Sequence, residues 1–132
     1  MLKGSGMCHH KLKILISDDE PLIVSALSRA ARHAGFEPIG DTASDVVGLA
    51  REHHPDVILL DLHQNVDGRD LLSQLKRDPE TRDVKVIVLS GVEDQFVRHT
   101  CLELGAEDYT VKPFGPIFLN RVARIAERTS ED

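Results

Sequence analysis

The chain contains no tryptophan, one tyrosine and two cysteines among its 132 residues. Without tryptophan there is no indole fluorescence to report a binding event. Two cysteines make no disulfide framework. Cys8 lies in a predicted tail and Cys101 on a predicted helix, and both read as reduced thiols of a cytoplasmic protein. No apolar run approaches the ~20 residues of a membrane span. The N-terminus lacks the roughly 7–15-residue apolar stretch of a secretion signal. There is no internal repeat and no low-complexity segment. Positive charge is in deficit: 16 Lys and Arg against 22 Asp and Glu give a net charge of −6. Direct contact with nucleic acid or an anionic membrane is therefore not favoured. No glycine-rich turn follows the first apolar run, where Asp18-Asp19-Glu20-Pro21 stands instead, so a dinucleotide-binding domain is excluded.

What is present is one domain's worth of chain with five alternations of apolar, strand-like runs and amphipathic stretches. Strands are predicted over 12–17, 36–39, 56–60, 84–89 and within 106–111. Helices are predicted over 20–34, 43–53, 69–77, 93–104 and 116–128. Pro21 suits a first helical turn and Gly35 a stop. Leu22, Val24, Leu27, Ala30 and Ala31 read as the apolar stripe of the first helix, and Ser44 as the cap of the second. Pro38 argues that the second strand is an edge. Ile117, Leu119, Val122, Ile125 and Ala126 form one face of the last helix. Repeated strand–helix units with short connections imply right-handed crossovers, hence an α/β fold: a parallel sheet with helices on both faces. Residues 1–10 read as a flexible leader, 11–128 as the domain and 129–132 as a frayed tail. Cys8-His9-His10 in the leader lacks a second ligand pair and is a poor metal site.

Carboxylates crowd the predicted strand ends. Asp61 closes the unbroken run Val57-Ile58-Leu59-Leu60, and Asp18 and Asp19 follow the first strand. In open α/β sheets, ligands bind beyond the carboxyl ends of the strands. Two carboxylates about 5 Å apart repel by roughly 3 kcal/mol at an effective dielectric of about 20. A hard cation with oxygen ligands would join them. Taken singly, each residue has a plainer explanation. Asp18 and Asp19 can cap a helix, Ser90 can be a loop serine, Lys112 a solvated lysine and Tyr109 a half-buried strand aromatic.

Four motifs in order remove that ambiguity. Ser17-Asp18-Asp19-Glu20-Pro21, Leu60-Asp61-Leu62, Leu89-Ser90-Gly91 and Val111-Lys112-Pro113-Phe114 each follow their own predicted strand. Together they resemble the receiver domain of bacterial two-component response regulators, over about residues 11–128. The resemblance implies a flavodoxin-like, doubly wound sheet of five parallel strands in the order 2-1-3-4-5, with five helices on two faces. It implies that Asp61 is the phosphoacceptor and that Asp18, Asp19, Asp61 and the backbone carbonyl of His63 hold Mg2+. It implies that Lys112 pairs with Asp61 and its phosphate, and that Ser90 and Tyr109 form the switch. His63 and Val92 then tune the rate at which water removes the phosphate, and the branched Val92 predicts a long-lived phosphoryl state. The implied partners are a sensor histidine kinase or phosphotransfer protein. A downstream effector or output domain is reached through the face of helix four, strand five and helix five. Homodimerisation through that face stays open, as does whether the chain is a stand-alone receiver or an N-terminal domain of a longer one.

The loop after the acceptor departs from the family pattern. Receivers usually carry Met-Pro before Asp-Gly; here the run is Leu62-His63-Gln64-Asn65-Val66-Asp67-Gly68, without either residue and one position shorter. A phosphorylation-independent interaction module of the same fold is the alternative reading. A phosphatase of the haloacid-dehalogenase type wants a second acid two residues after the nucleophile, where His63 stands.

Overall fold

The computed structural model describes residues 11–115 and 117–128; the leader with its Cys8-His9-His10 run, Pro116 and the 129–132 tail lie outside them. Five strands alternate with five helices: β1 Lys13–Ser17, α1 Pro21–His33, β2 Glu37–Asp41, α2 Val46–His53, β3 Val57–Asp61, α3 Gly68–Arg77, β4 Lys85–Ser90, α4 Gln95–Glu103, β5 Asp108–Val111 and α5 Phe118–Glu127. All pairings are parallel and the order is β2-β1-β3-β4-β5, as expected for the doubly wound fold. Among the described residues no helix is long and apolar enough to cross a membrane.

The period-2 alternation of the strands divides the core into two layers. Ile14, Ile16, Val57, Leu59, Ile87 and Leu89 pack with residues of α1 and α5. Leu15, Ile58, Leu60, Val86, Val88 and Tyr109 pack with residues of α2, α3 and α4. The central strand β3 is buried along its whole length, which is why it reads as a continuous apolar run.

Several boundaries differ from expectation, with physical causes. β3 and β4 each run one residue further, so Asp61 and Ser90 are the last residues of their strands rather than loop residues. The second helix starts at Val46, not near 43. Ser44 is no cap: it adopts the left-handed conformation (φ 55°), and its hydroxyl goes to Gln64. α4 starts at Gln95 because the Asp94 carboxylate accepts from the amides of Phe96 and Val97. Leu22 is not on the buried stripe of α1 but 85% exposed. At ~100° per residue it stands ~200° from buried Val24. Ala30 is exposed too. Ile117 precedes the first turn of α5 and is exposed, whereas Val122, Ile125 and Ala126 are buried.

Gly68 fixes the connection between β3 and α3. Its amide donates to the Leu62 carbonyl at 2.9 Å, and a Cβ there would lie 2.6 Å from Leu62 Cα and 2.8 Å from its oxygen. His63 and Asp67 bridge antiparallel across the same loop. The short loop is thus a closed hairpin-like turn, pinned where only glycine fits.

Candidate functional site

The carboxyl edge of the sheet gathers the expected residues at four adjacent strand ends, those of β1, β3, β4 and β5. β1 and β3 are neighbours, so Asp18 and Asp61 come together although far apart in sequence. β5 lies two strands from β3, and Lys112 reaches back across β4, its amide bonded to the Ser90 carbonyl at 2.8 Å. The Lys112 ammonium sits 3.3 Å from Asp18 Oδ2 and 3.3 Å from Asp61 Oδ1. Asp18, Asp19 and Asp61 each offer a carboxylate oxygen, all within 4.8 Å of one another. Asp18 and Asp61 are buried; Asp19 is half-buried. Asp18 also accepts from the Glu20 amide at 2.9 Å. That bond orders the turn leading into α1, but Asp18 is not the helix cap: Glu20 holds that position and no side chain caps the helix.

Burial holds the Asp61 carboxyl above its ordinary value; the Lys112 charge pulls it down, and Asp18 pushes it up. Burial by itself lowers the Lys112 ammonium, but the pull of Asp61 and Asp18 outweighs it, and the net shift is upward. Three carboxylates against one ammonium leave the pocket two negative charges in excess. All three donors are hard oxygens. Both facts suit a divalent cation of the Mg2+ kind. An open cleft of about 490 Å3, lined by Asp19, His63, Gln64, Arg69 and Val97 among others, gives access from one side.

The remaining predicted residues surround this centre. His63 is exposed, and its amide makes a long contact of 3.4 Å to Asp61 Oδ1. Ser90 is fully buried, and its hydroxyl engages Val92, donating to the carbonyl at 3.1 Å. Tyr109 is turned inward, 2% exposed, and its hydroxyl donates to the same Val92 carbonyl at 2.9 Å. The Arg98 guanidinium covers the Tyr109 ring at 4.8 Å and pairs with Glu93. The Val92 side chain is 56% exposed.

One residue escaped the sequence reading. Gln64 reads only as the absence of a methionine, yet its carboxamide donates to the Asp61 carbonyl at 2.9 Å and to Ser17. The available signal was the polar, non-acidic trio Ser17, Ser44 and Gln64 in the segments that flank the acidic sheet edge.

Residues 14–124 match the family described as the response regulator receiver domain. The chain belongs to that family. Among relatives of this receiver domain, a probable transcriptional regulator, ycf27, of Guillardia theta is 36% identical over 126 residues, covering 92% of this chain and 48% of that protein. The phosphate regulon transcriptional regulatory protein PhoB of Escherichia coli is 36% identical over 115 residues, covering 86% and 49%. The chain thus spans about half the length of the curated relatives it matches. Among solved structures, the BeF3-activated DrrB receiver domain superposes with a TM-score of 0.76 at 30% identity, covering 90% of this chain and all of that one. The chemotaxis protein CheY4 of Vibrio cholerae gives 0.82 at 22% identity, covering 88% and 99%, and shows the fold alone. Receiver domains of two-component systems work with histidine kinases and output domains, and generally bind Mg2+ at an acidic pocket such as this one. The relatives are named transcriptional regulators, so the expectation from charge of no direct nucleic-acid binding finds no support among them.

Proposed function

We propose that Asp61 accepts a phosphoryl group from a histidine kinase or phosphotransfer protein in the cytoplasm. The observation that carries this reading is Lys112 bridging Asp61 and Asp18 at 3.3 Å each, with Asp19 completing the acidic cluster. A carboxylate oxygen of Asp61 attacks phosphorus, the bond to the donor histidine nitrogen breaks, and its electron pair stays on the imidazole, leaving an acyl phosphate. Asp18, Asp19, Asp61 and the His63 carbonyl would hold Mg2+, which offsets the charge on the transferring oxygens. Lys112 neutralises Asp61 before transfer and its phosphate afterwards. Ser90 leaves the Val92 carbonyl to donate to a phosphoryl oxygen, and Tyr109 stays on that carbonyl. The added charge of about −1.5 to −2 thereby biases the β4–α4 loop. The face of α4, β5 and α5 carries the change to an effector, an output domain or a second copy. The half-length match to transcriptional regulators favours an output domain that acts on nucleic acid, with this domain as its controller. His63 and the branched Val92 at the entrance slow attack by water, giving a phosphoryl state that outlasts seconds.

Intact-mass spectrometry after incubation with acetyl phosphate and Mg2+ tests the reading. One added phosphoryl group is expected on the wild type, and none on Asp61→Asn or a chelated sample. No adduct on a wild type that binds Mg2+ would favour a phosphorylation-independent interaction module.

A further inference from the structure

The two buried carboxylates face each other where the β1–β3 ladder stops. Pairing runs from Ile14 with Val57 to Ser17 with Leu60, and Asp18 and Asp61 stand just beyond it. Their repulsion acts to splay these strand ends. The carboxamide of Gln64 spans that gap. Its nitrogen donates one proton to the Asp61 carbonyl at 2.9 Å and shares the other between the Ser17 carbonyl at 3.2 Å and hydroxyl at 3.1 Å. One amide group thus clips together the backbone carrying the acceptor and the backbone leading into the acidic pair.

The clip is itself oriented. Asp41 is 3% exposed and its Oδ1 accepts from the amides of Ala43 and Asp45. Its Oδ2 takes the Ser17 proton at 2.8 Å. The Ser17 hydroxyl is therefore a donor to Asp41 and an acceptor toward Gln64, which fixes the end of the carboxamide that faces it. At the other end, the Ser44 hydroxyl donates to Gln64 Oε1 at 3.1 Å from a left-handed backbone. The chain Ser44–Gln64–Ser17–Asp41 runs in one direction of donation and ties the ends of β1 and β3 to the β2–α2 connection. It also anchors the short loop, which has no proline to stiffen it.

From this geometry we infer that Gln64 is a positioning residue, holding Asp61 against Asp18 and Asp19 in the spacing a divalent cation needs. The inference rests on the proposed function of the same site. Groups that orient metal ligands change affinity by about 10–100-fold when removed. Gln64→Met keeps the volume and deletes every polar contact, and should weaken Mg2+ binding by about tenfold. Ser44→Gly suits the left-handed backbone, touches no carboxylate of the cluster, and should weaken it in the same direction by less. The double variant should fall short of the product of the two effects, because both cut one network. Ile125→Val, on the buried face of α5, should lower stability and leave Mg2+ affinity unchanged.

Calorimetric Mg2+ binding isotherms on the four variants and the wild type, with urea unfolding in EDTA alongside, give the test. Weaker binding by Gln64→Met and Ser44→Gly, with Ile125→Val unmoved, supports the role. Binding by both variants within twofold of a wild type that does bind overturns it and leaves the proposed function standing. Should Gln64→Met fail to fold, Ser44→Gly decides alone: unchanged affinity overturns the role, and weaker affinity supports it. A wild type that neither binds Mg2+ nor takes a phosphoryl group sinks both readings.

Discussion

Replacing Asp61 by asparagine should make the metal-free domain more stable. Its carboxylate lies within 4.8 Å of those of Asp18 and Asp19, and each contact costs about 3.5 kcal/mol at an effective dielectric of about 20. Lys112 at 3.3 Å returns about 5 kcal/mol on the same scale. Removing the charge abolishes two repulsions and one attraction, a net gain of about 2 kcal/mol. Partial exposure of Asp19 screens its share and trims the gain to about 1–2 kcal/mol. The amide oxygen can still accept from Lys112 and from the His63 amide, so neither of these donors loses its acceptor. The pH dependence follows from the direction of the Asp61 shift. Its folded carboxyl stands above the ordinary value, so the folded state binds the proton more tightly than the unfolded chain. Stability contributed by that proton is present in acid and is lost as pH rises through the folded value. The advantage of Asp61→Asn should therefore be full above the folded value and shrink as pH falls through it toward the ordinary carboxylate range. Urea denaturation in EDTA at several pH values measures this. Added Mg2+ should narrow the gap by stabilising the wild type more. A wild type more stable than Asp61→Asn at the alkaline end of the series in EDTA would refute the reasoning, and so would a gap that ignores pH.

Two further substitutions probe the neighbourhood. Gly68→Ala pushes a methyl against the Leu62 backbone, which has no flexible end to yield, and should cost about 1–3 kcal/mol in urea denaturation. Tyr109→Phe removes one of two donors on the Val92 carbonyl and leaves Ser90 in place. The cost should be about 0.5–1.5 kcal/mol by thermal unfolding, and a loss well above that would mean the ring itself shifts.

The fold was legible because four of the five strands end on a motif and the central apolar runs have a length and neighbours that a buried parallel strand explains. The acidic cluster followed, since carboxylates after β1 and β3 meet in any sheet that pairs those strands. What stayed hidden depends on partners distant in sequence. Ser44 has the chemistry of a cap, but a residue 20 positions away takes its hydroxyl. Leu22 belongs to the apolar count of α1 but to the wrong side of the cylinder. Gln64 could be seen only as a missing methionine, because its worth lies in carbonyls of two strands that sequence does not bring together. The strand ends at Asp61 and Ser90 were placed one residue short because a polar side chain looks like the end of a strand even where the ladder continues.

Lys112 joins residues 94 and 51 positions away from it, and no stretch of local chain holds the whole site. A phosphorylated serine in a loop needs only its immediate neighbours, so an unfolded chain can be marked as readily as a folded one. Under the proposed function Asp61 cannot be marked that way. Its reactivity requires the first, third and fifth strands to be assembled at once, so the covalent mark also certifies that the molecule carrying it is fully folded. Damaged or half-made copies stay silent, and a signalling pathway that reads the mark is screened against them without any separate check.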